Sequence, residues 1–383
     1  MDGGVAQPDD VASTTIDRTA SDPWHNVCAD DWNDWRWQLR HQLSSADELE
    51  AHFKLSDDER SAISSGSGLA VGVTPYFARL CAGADPSCSL RRQVIATSAE
   101  HESAPFERID PLGEDPDRVA PGVVHKYPDR VLLLVTDTCA AYCRYCTRSR
   151  WVASHSERLG QAELDAAIAY IESDPNIADV LISGGDPLLL SSGRLEALLD
   201  RLAAIDHLRL IRIGTRVPVF LPMRIDDALC HALRPRRIPI WVNIHINHAR
   251  ELPAMTREYI ARLADAGIPL GGQSVLLRGI NDTVDDLRET FFAMLSCRIR
   301  PYYLFHCDPV VGSAHLRTSV AEGLALMRAL IGHSSGMAVP KYCVDLEGGG
   351  KIPLWPEYIE DRDGDDLLIR GHDGRRWRYP DGG

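Results

Sequence analysis

The chain has 383 residues, room for one large α/β domain with a smaller attachment. Its composition, 44% hydrophobic and 25% charged, is that of an ordinary soluble globular protein. With 41 basic and 55 acidic residues the formal charge is −14, which argues against nucleic acid as the main partner.

In chain order, "MDGGVAQPDDVASTTIDRTASD" is acidic and lacks the basic-then-apolar pattern of a secretory signal, so residues 1–23 are expected to be a disordered leader. No stretch reaches the apolar length of a membrane span. Residues 24–110 read as a helical lead-in. Trp32, Trp35, Leu39 and Leu43 fall at spacings of three and four, one face of a helix. "SSADELEAHFKL" and "LSDDERSAI" each open with serine and acidic residues, as helix starts do. From residue 111 to 335 short apolar runs alternate with helical stretches. Strands are expected at 130–136, 179–183, 208–215, 238–246, 268–277 and 300–307, with six helical segments among and after them. Near-continuous apolar strands separated by helices imply a parallel sheet, either a partial barrel or an open doubly wound sheet. "GTR", "HINH" and "CD" lie at strand ends, where such folds carry their functional groups. Residues 336–383 form a last segment and tail.

Just after the first of these strands, "TCAAYCRYCTRSR" sets Cys139, Cys143 and Cys146 at C-x3-C-x2-C spacing. Three thiolates can hold three irons of a cubane and leave the fourth open to another ligand. A structural zinc site is normally closed by four ligands, and an electron-transfer [4Fe–4S] centre uses four cysteines. His155, nine residues on, is an unusual position for a fourth ligand. The other seven of the ten cysteines are scattered, without the framework of a secreted protein, and are expected to stay reduced in the cytoplasm. "SGGDP" supplies Ser183, Gly184, Gly185 and Asp186 after the second strand. "DLEGGGKIP" holds Lys351 behind a glycine run. It departs from the phosphate-loop pattern, but a lysine there could form a Schiff base if burial keeps part of it unprotonated.

The cysteine spacing resembles the radical S-adenosylmethionine (SAM) superfamily, in which the open iron is chelated by SAM. "SGGDP" is similar to the segment that contacts the SAM amino group. From about residue 31 to 356 the chain resembles the lysine 2,3-aminomutase family, through "WNDWRWQLR", "VTPYFARL", "HKYPDRVLLLVTDTCAAYCRYCTRSR", "LISGGDPLLL", "RIGTRVPVFLPMRI", "WVNIHINH", "LGGQSVLLRGIND", "HLRTSV" and "GGGKIP". The resemblance implies a radical SAM (β/α)6 partial barrel, with a C-terminal segment carrying the cofactor lysine. By position, Lys351 matches the lysine that carries pyridoxal 5′-phosphate (PLP), and Arg130 the arginine on its phosphate. His245 and Gln273 match SAM contacts. Arg148 matches the arginine that pairs with the substrate carboxylate, and Asp308 and Asp345 the aspartates that receive the distal ammonium in lysine-specific members.

Three departures stand out. The family's Pro-Gly-Gly-Gly-Gly-Lys run is here Glu347-Gly-Gly-Gly-Lys, one glycine shorter, and Phe305 stands where many relatives have tyrosine. The tail has no cysteine, and Thr283 fills a position where zinc-binding members carry one, so no zinc is expected. The expected activity is a 2,3-aminomutase on a free basic amino acid, L-lysine slightly favoured over L-arginine. Its expected cofactors are a [4Fe–4S] cluster, SAM and PLP, and its expected partner an electron donor such as flavodoxin or ferredoxin. Homo-oligomerisation is left open. Two competing readings are a radical SAM enzyme modifying a lysine on a protein partner, and an iron–sulfur electron carrier, against which the missing fourth cysteine and Lys351 both count.

Overall fold

Ten strands hydrogen-bond side by side in the order in which the chain makes them. They are β1 (Arg118–Ala120), β2 (Val123–Tyr127), β3 (Arg130–Thr136), β4 (Asp179–Gly184), β5 (Leu210–Thr215), β6 (Ile240–His245), β7 (Leu270–Leu276), β8 (Arg300–His306), β9 (Lys341–Leu346) and β10 (Gly350–Pro353). The computed structural model describes residues 24–381 apart from 67, 82–84, 153–158 and 365. The expected leader, residues 1–23, and His155 therefore lie outside the described residues.

β3 to β9 run parallel, and antiparallel strands finish the sheet at each side: β2 against β3 and β1 against β2 on one, β10 against β9 on the other. Parallel neighbours need long crossovers, and helices provide them. α6 (Gln161–Ser173), α7 (Ser192–Ala203), α8 (Val217–Phe220) with α9 (Asp227–Ala232), α10 (Ala254–Asp265), α11 (Val284–Ser296) and α12 (Val320–Leu330) link successive strands. Side chains alternate along each strand. Val180 and Ile182, Ile211 and Ile213, and Val242 and Ile244 are fully buried in the main apolar core. The intervening Leu181 and Ser183, Arg212 and Gly214, and Asn243 and His245 face a central cavity. One face of the sheet thus packs into the core while the other lines an interior. That is the expected partial barrel, not an open doubly wound sheet.

The six expected strands all form. β9 adds a seventh parallel strand, and it and β10 extend the sheet into the C-terminal segment. The tail folds as a separate antiparallel sheet of β11 (Ile359–Asp363), β12 (Asp366–Arg370) and β13 (Arg376–Pro380).

The lead-in contains α1 (Ala29–Asn33), α2 (Trp35–Arg40), α3 (Ala46–Glu50), α4 (Asp57–Ser65) and α5 (Pro75–Cys81). The single helical face expected through Trp32, Trp35, Leu39 and Leu43 is divided. Asp34 leaves helical geometry at ψ 110°, and its carboxylate accepts from the Arg36 backbone N–H, capping α2. A cap of that kind is worth about 1 kcal/mol, enough to end a five-residue helix. Ser45 and Ser56 make reciprocal caps with Glu48 and Glu59, as the sequence predicts. Among the described residues no helix is long and apolar enough to cross a membrane.

Candidate active site

All the candidate residues except Arg130 line one cavity of about 270 Å³ at the C-terminal ends of the parallel strands. The loop after β3 carries the three cysteines, and the lead-in braces it from behind. Tyr142 N–H donates to Gly72 O at 3.0 Å, and Arg144 N–H to Gln93 O at 2.9 Å. The buried Arg144 side chain donates to Glu100 and to the carbonyls of Leu69 and Ala70. A Cβ on Gly72 would lie 2.8 Å from the Tyr142 ring, so that approach requires glycine. Cys139, Cys143 and Cys146 are free thiols. Burial, reinforced by Cys143, pushes the Cys146 thiol up to about 11, and burial with the neighbouring Cys146 raises Cys139 well above the ordinary thiol range.

The segment after β4 lies against this loop. Gly185 N–H donates to Thr136 O and Asp186 N–H to Thr138 O at 2.8 Å. Gly184 has φ +124°, and a Cβ on Gly184 or Gly185 would come within 2.3 Å of a loop carbonyl. Asp186 turns its carboxylate to the protein: it accepts from Leu188 N–H, Thr215 Oγ1, Arg216 N–H and Val217 N–H. Burial still pushes it up to about 6. His245, at the end of β6, lies beside Gln273 of β7 in register. Its Nε2 is 3.0 Å from Asn247 Oδ1, and burial with nearby Arg216 lowers its pKa to about 3, so the ring is neutral.

The far strands supply the acidic and lysine groups. The β9–β10 hairpin sets Lys351 directly across from Asp345, and their side chains form an ion pair. Lys126 Nζ is 3.8 Å from the other Asp345 oxygen. Asp308, after β8, is pushed up to about 7 by burial and then by the Asp345 charge. Lys351 Nζ stands 5.1 Å from the centre of the Phe305 ring. Arg148 enters from the cysteine loop with Nε and Nη2 on Glu114. Arg130, at the start of β3, stands outside the lining, its guanidinium 3.6 Å over the Tyr127 ring.

Several residues here escaped the sequence reading. Glu114 lies between the lead-in and the first expected strand, in none of the motifs. Arg216, in the noted "GTR", donates from Nη1 to Cys143 Sγ at 2.9 Å and from Nη2 to Glu251 at 3.0 Å. Gln93, Tyr145 and Asn247 complete a buried polar network around it. No spacing joins these positions in the sequence.

Residues 133–292, from β3 into α11, match the radical SAM superfamily, which defines the class of enzyme. Residues 327–382 match the family described as lysine-2,3-aminomutase. The chain is 42% identical to an L-lysine 2,3-aminomutase of Fusobacterium nucleatum, over 91% of this chain and 82% of that one. An L-lysine 2,3-aminomutase of Clostridium subterminale is also 42% identical, over 90% and 83%. A glutamate 2,3-aminomutase of Clostridioides difficile is 36% identical, over 91% and 83%. The chain belongs to the lysine 2,3-aminomutase family, a family of isomerases.

That membership implies a [4Fe–4S] cluster and SAM. The cavity fits them. Three half-buried free thiols border it from one loop, and the Nε of buried Arg216 has no acceptor among the described residues. Among the described residues no three His, Cys, Asp or Glu side chains gather as a single-ion site. Thiols spaced around a cubane need not do so.

Proposed function

We propose that this enzyme moves the α-amino group of free L-lysine to the β-carbon, with a cluster on Cys139, Cys143 and Cys146 and PLP on Lys351. When bound, the cluster with SAM supplies a radical that removes hydrogen from the substrate, and PLP holds the migrating nitrogen. The residues of the chain bind, orient and exclude water. The backbone of Ser183, Gly184 and Gly185, with His245 and Gln273, borders SAM. Asp186 positions that segment through its bonds to the next strand end. Arg130, next to Tyr127, receives the PLP phosphate, a planar fork suited to an oxyanion. Arg148 pairs with the substrate carboxylate. The enzyme works in the cytoplasm and takes electrons from a small reduced carrier such as flavodoxin or ferredoxin.

The observation that carries the choice of a basic substrate is the Asp308–Asp345 pair. Two carboxylates that repel each other in one cavity need positive charge, and here Lys351 provides most of it, with Lys126 3.8 Å from Asp345 at the side. Once Lys351 is committed to PLP, that ammonium no longer serves Asp345, and the distal ammonium of lysine can take its place. An acidic substrate would meet repulsion there.

The test is anaerobic incubation with SAM, PLP, a reductant and equal L-lysine and L-arginine, with products separated by retention and mass. β-Lysine as the main product supports the proposal. β-Arginine as the main product would move it to the longer head group, for which the altered Glu347 and Phe305 positions are the argument. Turnover of neither, with modification of a lysine-bearing protein, would overturn the free-amino-acid reading.

A further inference from the structure

We propose that Arg216 is a positioning residue for the iron–sulfur cluster: its guanidinium hydrogen-bonds the Cys143 sulfur and makes the cluster easier to reduce. The inference rests on Cys143 being a cluster ligand. The geometry is specific. Arg216 Nη1 is 2.9 Å from Cys143 Sγ and 2.6 Å from Tyr145 Oη, while Nη2 meets Gln93 and, at 3.0 Å, Glu251. Its backbone N–H donates to Asp186 at 2.7 Å, so the same residue ties the "SGGDP" segment to the cysteine loop.

This arginine has little freedom. Its side chain is 7% exposed, and Glu251, at 0%, is its countercharge. Glu251 is itself held by Gln93 Nε2 at 2.7 Å and Asn247 N–H at 3.1 Å. A charge buried at this depth is retained only when its partners are fixed. Four of its five N–H donors reside on Nη1 and Nη2 and are directed at these acceptors. The fifth, on Nε, has none among the described residues although Arg216 borders the cavity.

The consequence is electronic. Reduction adds one electron from an external donor to the 2+ cluster and gives the 1+ state, with no bond made or broken. Part of the added negative charge falls on the sulfurs. An N–H directed at a thiolate sulfur stabilises that state, and hydrogen bonds to sulfur are one of the recognised controls on cluster potential. Glu251 opposes the effect, so the pair sets the potential between two limits. Removing Arg216 must make the cluster harder to reduce, and neutralising Glu251 must make it easier.

The experiment uses reconstituted full-length protein without SAM, with iron content measured first. EPR-monitored redox titration of Arg216→Gln should give a more negative midpoint than the parent, and Glu251→Gln a more positive one. Unchanged midpoints, or shifts of the same sign, would overturn the proposal. As a check that needs no variant to fold, parent protein labelled with ¹⁵N-arginine should show a guanidinium ¹⁵N coupling in the pulsed EPR of the reduced cluster. Its absence also overturns the proposal. Parent protein that binds no cluster would instead remove the cysteine assignment itself.

Discussion

Glu114 grips Arg148 with both carboxylate oxygens, at 2.6 Å from Nη2 and 3.0 Å from Nε. Nη1 takes no part in that grip and lies 3.5 Å from Ser183 Oγ, on the cavity lining. A guanidinium held this way has a fixed direction, and lysine cannot copy it because an ammonium lacks the planar fork. Arg148→Lys should therefore lower kcat/KM for L-lysine by roughly ten- to a hundred-fold, from a charged hydrogen bond worth ~1.5–3 kcal/mol. Glu114→Gln should do less, because the bond weakens but the arginine stays. Steady-state kinetics decide it, and an unchanged KM in Arg148→Lys would remove the carboxylate role.

The cysteine loop predicts an all-or-none cofactor. Replacing any one of Cys139, Cys143 or Cys146 by alanine should leave well under four irons per chain after anaerobic reconstitution, and no SAM cleavage. A variant lacking all three that still held four irons and cleaved SAM would place the cluster elsewhere.

Lys351 should be the only lysine that carries PLP. Borohydride reduction and peptide mapping should leave the pyridoxyl mass on its peptide, and a label on Lys54, Lys126 or Lys341 would disprove the assignment. Lys351→Ala should keep its iron, because the cysteine loop is built from β3 and the lead-in. Arg130→Ala should release PLP more readily.

The Asp308 carboxyl, pushed up to about 7 by burial and then by Asp345, gives a pH dependence with a definite sign. Below 7 it is mainly neutral and offers a cation little; above 7 it is charged. Affinity for L-lysine should rise with pH through about 7, and this rise should flatten in Asp308→Asn. For stability the direction is opposite. The raised value favours the fold fully below the unfolded value of 3.8, and that contribution is lost as pH rises through about 7. KM measured against pH, beside thermal midpoints, separates the two effects. A flat KM profile in the parent protein would exclude Asp308 from the binding of the charged end.

How much of this was legible in the sequence depended on how local each feature is. The six barrel strands were visible because runs such as "RVLLLVT" and "DVLIS" are apolar through both faces and bounded by helical segments. β9, "KYCVDL", pairs as an equal member of the sheet yet reads as mixed, since Lys341 and Asp345 interrupt it. The Trp32–Trp35 spacing suggested one helix, and Asp34 between them, a side chain that competes with its own backbone, made two. The three cysteines lie within eight residues and announced themselves. Arg216, Glu251 and Gln93 come from three distant places, and only the folded sheet makes them neighbours.

The hydroxyl of Tyr127, on β2, accepts the backbone N–H of Lys351, on β10, at 2.7 Å, and Gly350 has no room for a Cβ beside it. These strands stand near opposite ends of the sheet order and 224 residues apart in the chain. Bringing such remote segments together is slow, because the entropy of closing the loop is lost before the contact forms. During synthesis, the cysteine loop and the next six parallel strands emerge before Lys351 is made. Retention of PLP would thus report that the last strand of the barrel has arrived, a proofreading of assembly written into the order of translation.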